Sequence, residues 1–323
     1  MSTSFVVIGK QVTKYVGIPI FVSGVVGGLL NLAVFFSLRT FRQSSCAFYL
    51  TIMSFVNIGQ LFSGFLPLRI IYSLLNVNGT ETSLFFCKFQ VYLSQLCIGA
   101  SFTCFCLAII DQYLATCAHP RWQQLCNIKL AHRLIIICIL FWMLHGILPL
   151  IFYNHIQSPI TNKTSCTTTN TMFNNYRDYF FIPVLNGYMP IIIAGLFGVL
   201  AYRNIQQISY RTIPIVRREL DKQLTIMVLL QVFINIFILL PYTTIVAVAT
   251  NISPTSDPTI QAKLQFTITI VVVIYNIYFS SSFYIYICAS KRFRKQFLHV
   301  MYMIYSNRWK QPRLGDNQVM PET

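Results

Sequence analysis

Seven long apolar stretches run near residues 16–38, 46–75, 85–117, 130–152, 179–203, 222–249 and 263–289. Most stay apolar over 18 residues or more, enough to cross a hydrocarbon core of about 30 Å as helices rising about 1.5 Å per residue. Within such a core a backbone N–H or C=O finds no water, so each segment must satisfy its own polar groups. The expectation is all-α: a seven-transmembrane helix bundle, multi-pass, with the lipid bilayer as its solvent. Pro183 and Pro190 in the fifth stretch and Pro241 in the sixth are expected to kink their helices. Only 10% of the 323 residues are charged, against about 25% in a soluble domain. The chain therefore divides into a short N-terminus (1–15), the spanning bundle with a short C-terminal amphipathic helix (16–303), and a tail (304–323). The start MSTSFVVIGKQVTKY has no basic region ahead of its apolar run and does not read as a cleaved signal peptide.

The net charge of +16 invites a nucleic-acid reading, but no compact basic domain carries it. Its cations sit in short connections instead. With the N-terminus outside, the inner segments 39–45, 118–133, 203–222 and 290–323 hold 17 of the 24 Lys and Arg residues. The positive-inside rule then places the N-terminus outside the cell and the C-terminus inside. The three Asn-x-Ser/Thr sequons, at Asn78, Asn162 and Asn251, all fall in connections that this topology puts outside, as glycosylation requires. Cys87 and Cys166 are the two cysteines on that side, and a bridge between them would tie the second outer loop to the third helix. The other eight cysteines lie in apolar runs or inner connections, where a free thiol behaves as a small hydrophobe. No Cys-x-x-Cys pair or His cluster offers a metal site, and no nucleophile has a base beside it, so neither an enzyme nor a cofactor is expected. The stretches also lack the inverted repeats and charged path of a transporter, which leaves a channel or transporter as the weakest reading.

Motifs then fall in order. Gly27 and Asn31 stand in the first stretch, and YLTIMSFVNI (49–58) brings Asn57 into the second. The third opens at Cys87 and closes at Asp111-Gln112-Tyr113. Trp142 and Pro149 mark the fourth, Pro190 the fifth, and Ile238-Leu239-Leu240-Pro241 the sixth. Ser280-Ser281-Ser282-Phe283-Tyr284 closes the seventh, and KRFRKQF (291–297) follows as a basic amphipathic helix on the inner leaflet. This sequence of motifs resembles the rhodopsin-like (class A) G-protein-coupled receptors in a divergent form. Asn57 replaces the usual aspartate, Gln112 the usual arginine and Leu239 the usual tryptophan. Tyr284 alone survives of the Asn-Pro-x-x-Tyr motif.

The resemblance implies a plasma-membrane receptor that passes an extracellular signal to a heterotrimeric G protein. It implies a coupling set of Asp111, Gln112, Tyr113, Asp221 and Tyr284, in which Asp221 opposes Gln112 across the third and sixth helices. With glutamine in that place the ion pair becomes at most a hydrogen bond to one charged group. A receptor-like protein with lost or altered coupling is therefore the alternative. A mid-membrane polar network of Asn31, Asn57, Ser101, Asn276 and Ser280 is expected to bind sodium weakly or not at all, since the carboxylate is missing. The outer pocket would be drawn from Arg69, Ser94, Gln95, Leu239, Tyr242, Thr243 and Phe266. Ser94 stands where amine receptors carry an acid, which argues against a cationic amine. Arg69 either receives a ligand group, snorkels outward, or pairs with Glu81, Asp178 or Asp257. By family analogy the ligand is a peptide, of the short amidated, FMRFamide-like kind.

Overall fold

The computed structural model describes residues 2–37, 39–75, 79–117, 119–157, 164–208, 215–252 and 258–305. Seven helices within it are long and apolar enough to span a membrane. They are α1 (Phe5–Ser37), α2 (Ser45–Leu75), α3 (Leu84–Thr116), α4 (Ile128–Phe152), α5 (Thr171–Gln206), α6 (Gln223–Asn251) and α7 (Ile260–Ala289). An eighth helix, α8 (Lys291–Tyr305), follows α7 almost without a break. Between α4 and α5 a two-stranded antiparallel hairpin pairs β1 (Asn154–Gln157) with β2 (Thr164–Thr167), with His155 opposite Cys166. A disulfide joins Cys166 to Cys87 at the first turn of α3. His155 adds a second tie, its Nε2 lying 2.7 Å from the Thr80 carbonyl.

Two spans reach beyond their apolar stretches. The helical run containing α1 begins near Ser2, well ahead of residue 16, although Lys10 and Lys14 lower the hydropathy there. Lys10 lies 5.1 Å from the centre of the Tyr72 ring, and Phe5 packs on Phe266 of α7, so this end of the helix is held by its neighbours. At the start of α5, Arg177 is neutralised by a two-pronged pair with Asp178, at 2.7 and 3.0 Å, and the helix continues through both charges. Wider turns of the i→i+5 kind occupy Leu61–Ile71 and Tyr176–Tyr188, which contain Pro67 and Pro183. Proline has no N–H to give to the helical ladder, and a widened turn is one way for the backbone to re-register.

Start signals are local. The side chains of Ser44, Ser83, Asn127 and Asn170 each accept a backbone N–H at the head of a helix. Ser290 does the same for α8, accepting from Phe293 N–H at 3.1 Å. Phe293 is then fully buried among Phe35, Phe283 and Tyr286, and Gln296 donates to Ser37 Oγ at 2.8 Å. Together these contacts pin α8 beneath α1 and α7. Lys291, Arg294 and Lys295 stay exposed, as do Leu298, Met301 and Tyr302.

α3 is the hub, packing against α2, α4, α5 and α6. Lipid tails are as apolar as the side chains, so packing of small residues replaces hydrophobic drive between spanning helices. Gly99 is one such residue: a Cβ there would fall within the Trp142 indole of α4. The indole Nε1 meanwhile donates to Thr103 Oγ1 at 2.9 Å, one turn along α3. Gly24 plays the same part for α1, since a Cβ would come within 2.6 Å of both Leu61 and Ser280. Gly99→Val should therefore overpack the α3–α4 seam and cost about 1–3 kcal/mol. A lower Tm of the detergent-purified protein checks this, and an unchanged Tm would show that Trp142 can move aside.

Candidate functional site

At the α8 end of the bundle, Asp111, Gln112 and Tyr113 close α3 and do three different things. Asp111 is buried, and its Oδ1 accepts from Ser45 Oγ at the head of α2 at 2.7 Å. Gln112 is also buried, and its Oε1 accepts from Thr225 Oγ1 of α6 at 2.6 Å. Thr225 lies one turn beyond Asp221, whose side chain lies outside the described residues. Among the described side chains, the α3–α6 link at this depth is thus a neutral hydrogen bond to Thr225, a residue outside the family motifs. Tyr113 points elsewhere and packs on Phe197 of α5, with ring centres 5.4 Å apart. The end of α6 has a further tie. Gln223 Oε1 accepts from Ser290 Oγ at 2.9 Å and from the Arg292 N–H at 3.1 Å.

Tyr284, assigned to the coupling set, leaves the core. It is 44% exposed, and its hydroxyl donates to the Ser23 carbonyl of α1 at 3.2 Å. Two residues on, Tyr286 is fully buried and donates to Gln231 Oε1 of α6 at 2.7 Å. Gln231 Nε2 in turn lies 3.4 Å from Ser282 Oγ and 3.8 Å from Met53 Sδ. One amide thereby connects α2, α6 and α7 in the middle of the bundle. The sequence held a signal for it, because Gln231 is a polar residue inside the apolar run TIMVLLQVFINIFILL.

The five residues expected to form one mid-membrane network do not converge. Ser101 donates to Asn57 Oδ1 at 2.5 Å and lies 3.3 Å from the Tyr278 hydroxyl, giving a bridge between α2, α3 and α7. Asn31 instead donates to Ser54 at 3.3 Å. Asn276 and Ser280 bond back to carbonyls of their own helix, Val272 and Asn276. Ser280 also packs closely on Gly24 of α1, where a Cβ would come within 2.6 Å of it.

The seven residues expected to form a pocket at the disulfide end also divide. Leu239 is buried in a core cluster with Phe65, Tyr275 and Tyr278. Thr243 is buried against Gly187 and bonds to the Leu239 carbonyl at 2.9 Å. Phe266 packs on Phe5 of α1. Ser94 donates to Gln60 Oε1 of α2 at 2.9 Å. Gln95 keeps a buried Oε1 without a partner. Arg69 and Tyr242 lie close enough to interact electrostatically, and Tyr242 stacks on Tyr275 with ring centres 4.1 Å apart. Among the described residues the ion pair is Arg177–Asp178, so Asp178 is committed and no acid stands within 4 Å of Arg69. Asp257, the third acid considered for it, lies outside the described residues, as do the sequons Asn78 and Asn162. Asn251 is exposed near the end of α6 and donates to the Ala247 carbonyl at 2.7 Å.

The family model for the 7 transmembrane receptor (rhodopsin family) matches residues 28–278, well over half of the chain. The chain belongs to that family. A search of curated proteins returned no match. The rhodopsin family is a receptor family and not an enzyme family, and its members are multi-pass membrane proteins that in general bind extracellular ligands and G proteins. The match spans Asn31, the α2–α3 bridge, Asp111-Gln112-Tyr113 and Tyr278, and it stops before Tyr284 and Tyr286. The family frame and the side-chain geometry therefore meet on α3 and α6.

The two tyrosines give a direct comparison. Tyr286→Phe removes the hydroxyl that satisfies Gln231 and should cost about 1–3 kcal/mol by leaving a buried amide oxygen unpaired. Tyr284→Phe, on the exposed face, should stay within about 0.5 kcal/mol of the parent. Thermal unfolding of both variants in one detergent decides it, and a larger loss for Tyr284→Phe would reverse the assignment.

Proposed function

We propose that the chain is a plasma-membrane receptor, N-terminus outside, that binds a peptide at the disulfide end and signals through a heterotrimeric G protein at the α8 end. The observation that carries the coupling half is the hydrogen bond between Gln112 and Thr225. It holds α3 against α6 at the end where the Lys- and Arg-rich connections lie, in place of the charged lock of other family members. A two-state receptor needs such a contact: one that favours the resting helix arrangement and is lost when a ligand favours the other. Being neutral, this one contributes about 0.5–1.5 kcal/mol, so the resting state is lightly held. The peptide half rests on family analogy, on the polar connection between α4 and α5, and on the absence of an acid where amine receptors place one. The amidated, FMRFamide-like class is the family analogue that this reading tests first.

A second reading is favoured by one residue. With glutamine for arginine at 112, the chain is a seven-helix protein with lost coupling that acts as a silent partner or scavenger. G-protein activation in cells separates the two, comparing the unmodified chain with Gln112→Arg and Thr225→Val at matched surface expression. On the receptor reading, Thr225→Val raises the basal signal by up to about tenfold, the equilibrium shift worth about 1.4 kcal/mol. The unmodified chain also answers members of a peptide library. Signal confined to Gln112→Arg would instead establish lost coupling.

A further inference from the structure

The disulfide end of the bundle carries a cation that has no acid within 4 Å among the described residues. Arg69 stands in the widened Leu61–Ile71 turn of α2, two residues after Pro67, and is part-buried. It lies close enough to Tyr242 of α6 for the two side chains to interact electrostatically. A cation inside a spanning bundle is costly and normally has a partner or a task. None of the described acids pairs with it.

A second observation falls at the same depth. α2 and α3 run antiparallel, and their register is fixed where Ser94 meets Gln60 beside Gly64. Five residues along α2 from Gly64 leads to Arg69, and four residues back along α3 from Ser94 leads to Gln90. The two therefore stand at similar heights on adjacent helices. Gln90 is 3% exposed, and both its amide nitrogen and its amide oxygen are buried without a partner. A fixed amide of this kind in a spanning bundle is short of two hydrogen bonds. Arg69, Gln90 and Tyr242 together present a guanidinium, an amide and a phenol from three helices. That is a donor set for a planar anion, which a guanidinium meets with two parallel hydrogen bonds.

We propose that Arg69, with Gln90 and Tyr242, binds a carboxylate of the extracellular ligand. This deepens the receptor reading and rests on it. The carboxylate belongs either to a free C-terminus or to an Asp or Glu side chain. On this proposal an amidated peptide without an acidic residue is not the ligand. Proton balance needs no further group, because the ligand arrives ionised and Arg69 is permanently charged.

The test has two arms. The first uses no ligand and compares the Tm of the purified receptor with those of Arg69→Met and Asp257→Asn. An uncompensated cation predicts that Arg69→Met raises Tm and that Asp257→Asn leaves it unchanged. A fall in Tm for both, with no further fall in the double variant, would identify Asp257 as the resident partner and overturn the proposal.

The second arm screens short peptides for G-protein activation, each made as free acid and as carboxamide, with Asp or Glu present or exchanged for Asn or Gln. Every agonist should carry a carboxylate, and removing it should lower potency by at least about 30-fold. Arg69→Met should impose the same loss on the acid and none on its neutral analogue, while Arg69→Lys restores part of it. The acid and amide forms then show which carboxylate is used. An agonist without any carboxylate, equally potent on Arg69→Met, would overturn the carboxylate assignment and leave the receptor reading standing. Silence to all peptides at full surface expression would instead overturn the peptide-receptor reading, while the Tm comparison still decides the charge state of the site.

Discussion

A polar group within this bundle has no water to fall back on, and that constraint sets both the fold and the site. The backbone meets it by forming helices, and the side chains meet it helix to helix. Ser101 with Asn57, Tyr286 with Gln231, Thr225 with Gln112 and Ser45 with Asp111 each use one interhelical bond to satisfy two buried groups. All four involve α3 or α6. A movement of α6 against α3 must break the Thr225–Gln112 bond and load the Tyr286–Gln231 tie to α7, while the two α2–α3 bonds can persist. Individually they are modest, about 1–2 kcal/mol or less between spanning helices. A bundle held by several weak, separate ties can rearrange without passing through an unfolded state.

The legible part of the fold was the part set by hydropathy. All seven spans follow from runs of apolar residues, and the disulfide partners follow from charge bias placing two cysteines on one side. The limits of α1 were less legible, because Lys10 and Lys14 resemble a boundary until the Tyr72 ring is seen beside Lys10. Direction around each helix was harder still. Tyr284 and Tyr286 differ by two residues, which on a helix is a change of face, and the eroded motif gave no reason to prefer the buried one. Of the mid-membrane residues, Asn57 and Ser101 bond to each other, and two others stand apart for a related reason. Asn276 and Ser280 were right in depth, but a serine or asparagine within a helix can bond its own preceding turn, and here both do.

The substitutions at family positions form a coherent set. Aspartate to Asn57 and arginine to Gln112 each exchange a charge for a neutral amide. At Asn57 and Gln112 the structure supplies a hydroxyl, from Ser101 and Thr225, where a charged partner would otherwise stand. Neutral pairs of this kind are insensitive to salt and to protonation near neutral pH. The helix contacts of this receptor are therefore set by packing and hydroxyl geometry more than by ionic state.

Gln223 joins parts that are usually discussed apart. One side-chain oxygen holds both the hydroxyl that caps α8 and the second backbone N–H of that helix. The end of α6 and the start of α8 thus share a fastener. If α6 swings away from α3, it either drags the head of α8 or lets it go. α8 lies with Leu298, Met301 and Tyr302 exposed beside its lysines and arginines, the pattern of a helix resting on a leaflet. On the proposed receptor reading the bilayer is then a mechanical load on the switch: lipids that grip α8 more firmly would resist the motion of α6, and those that release it would ease the same motion.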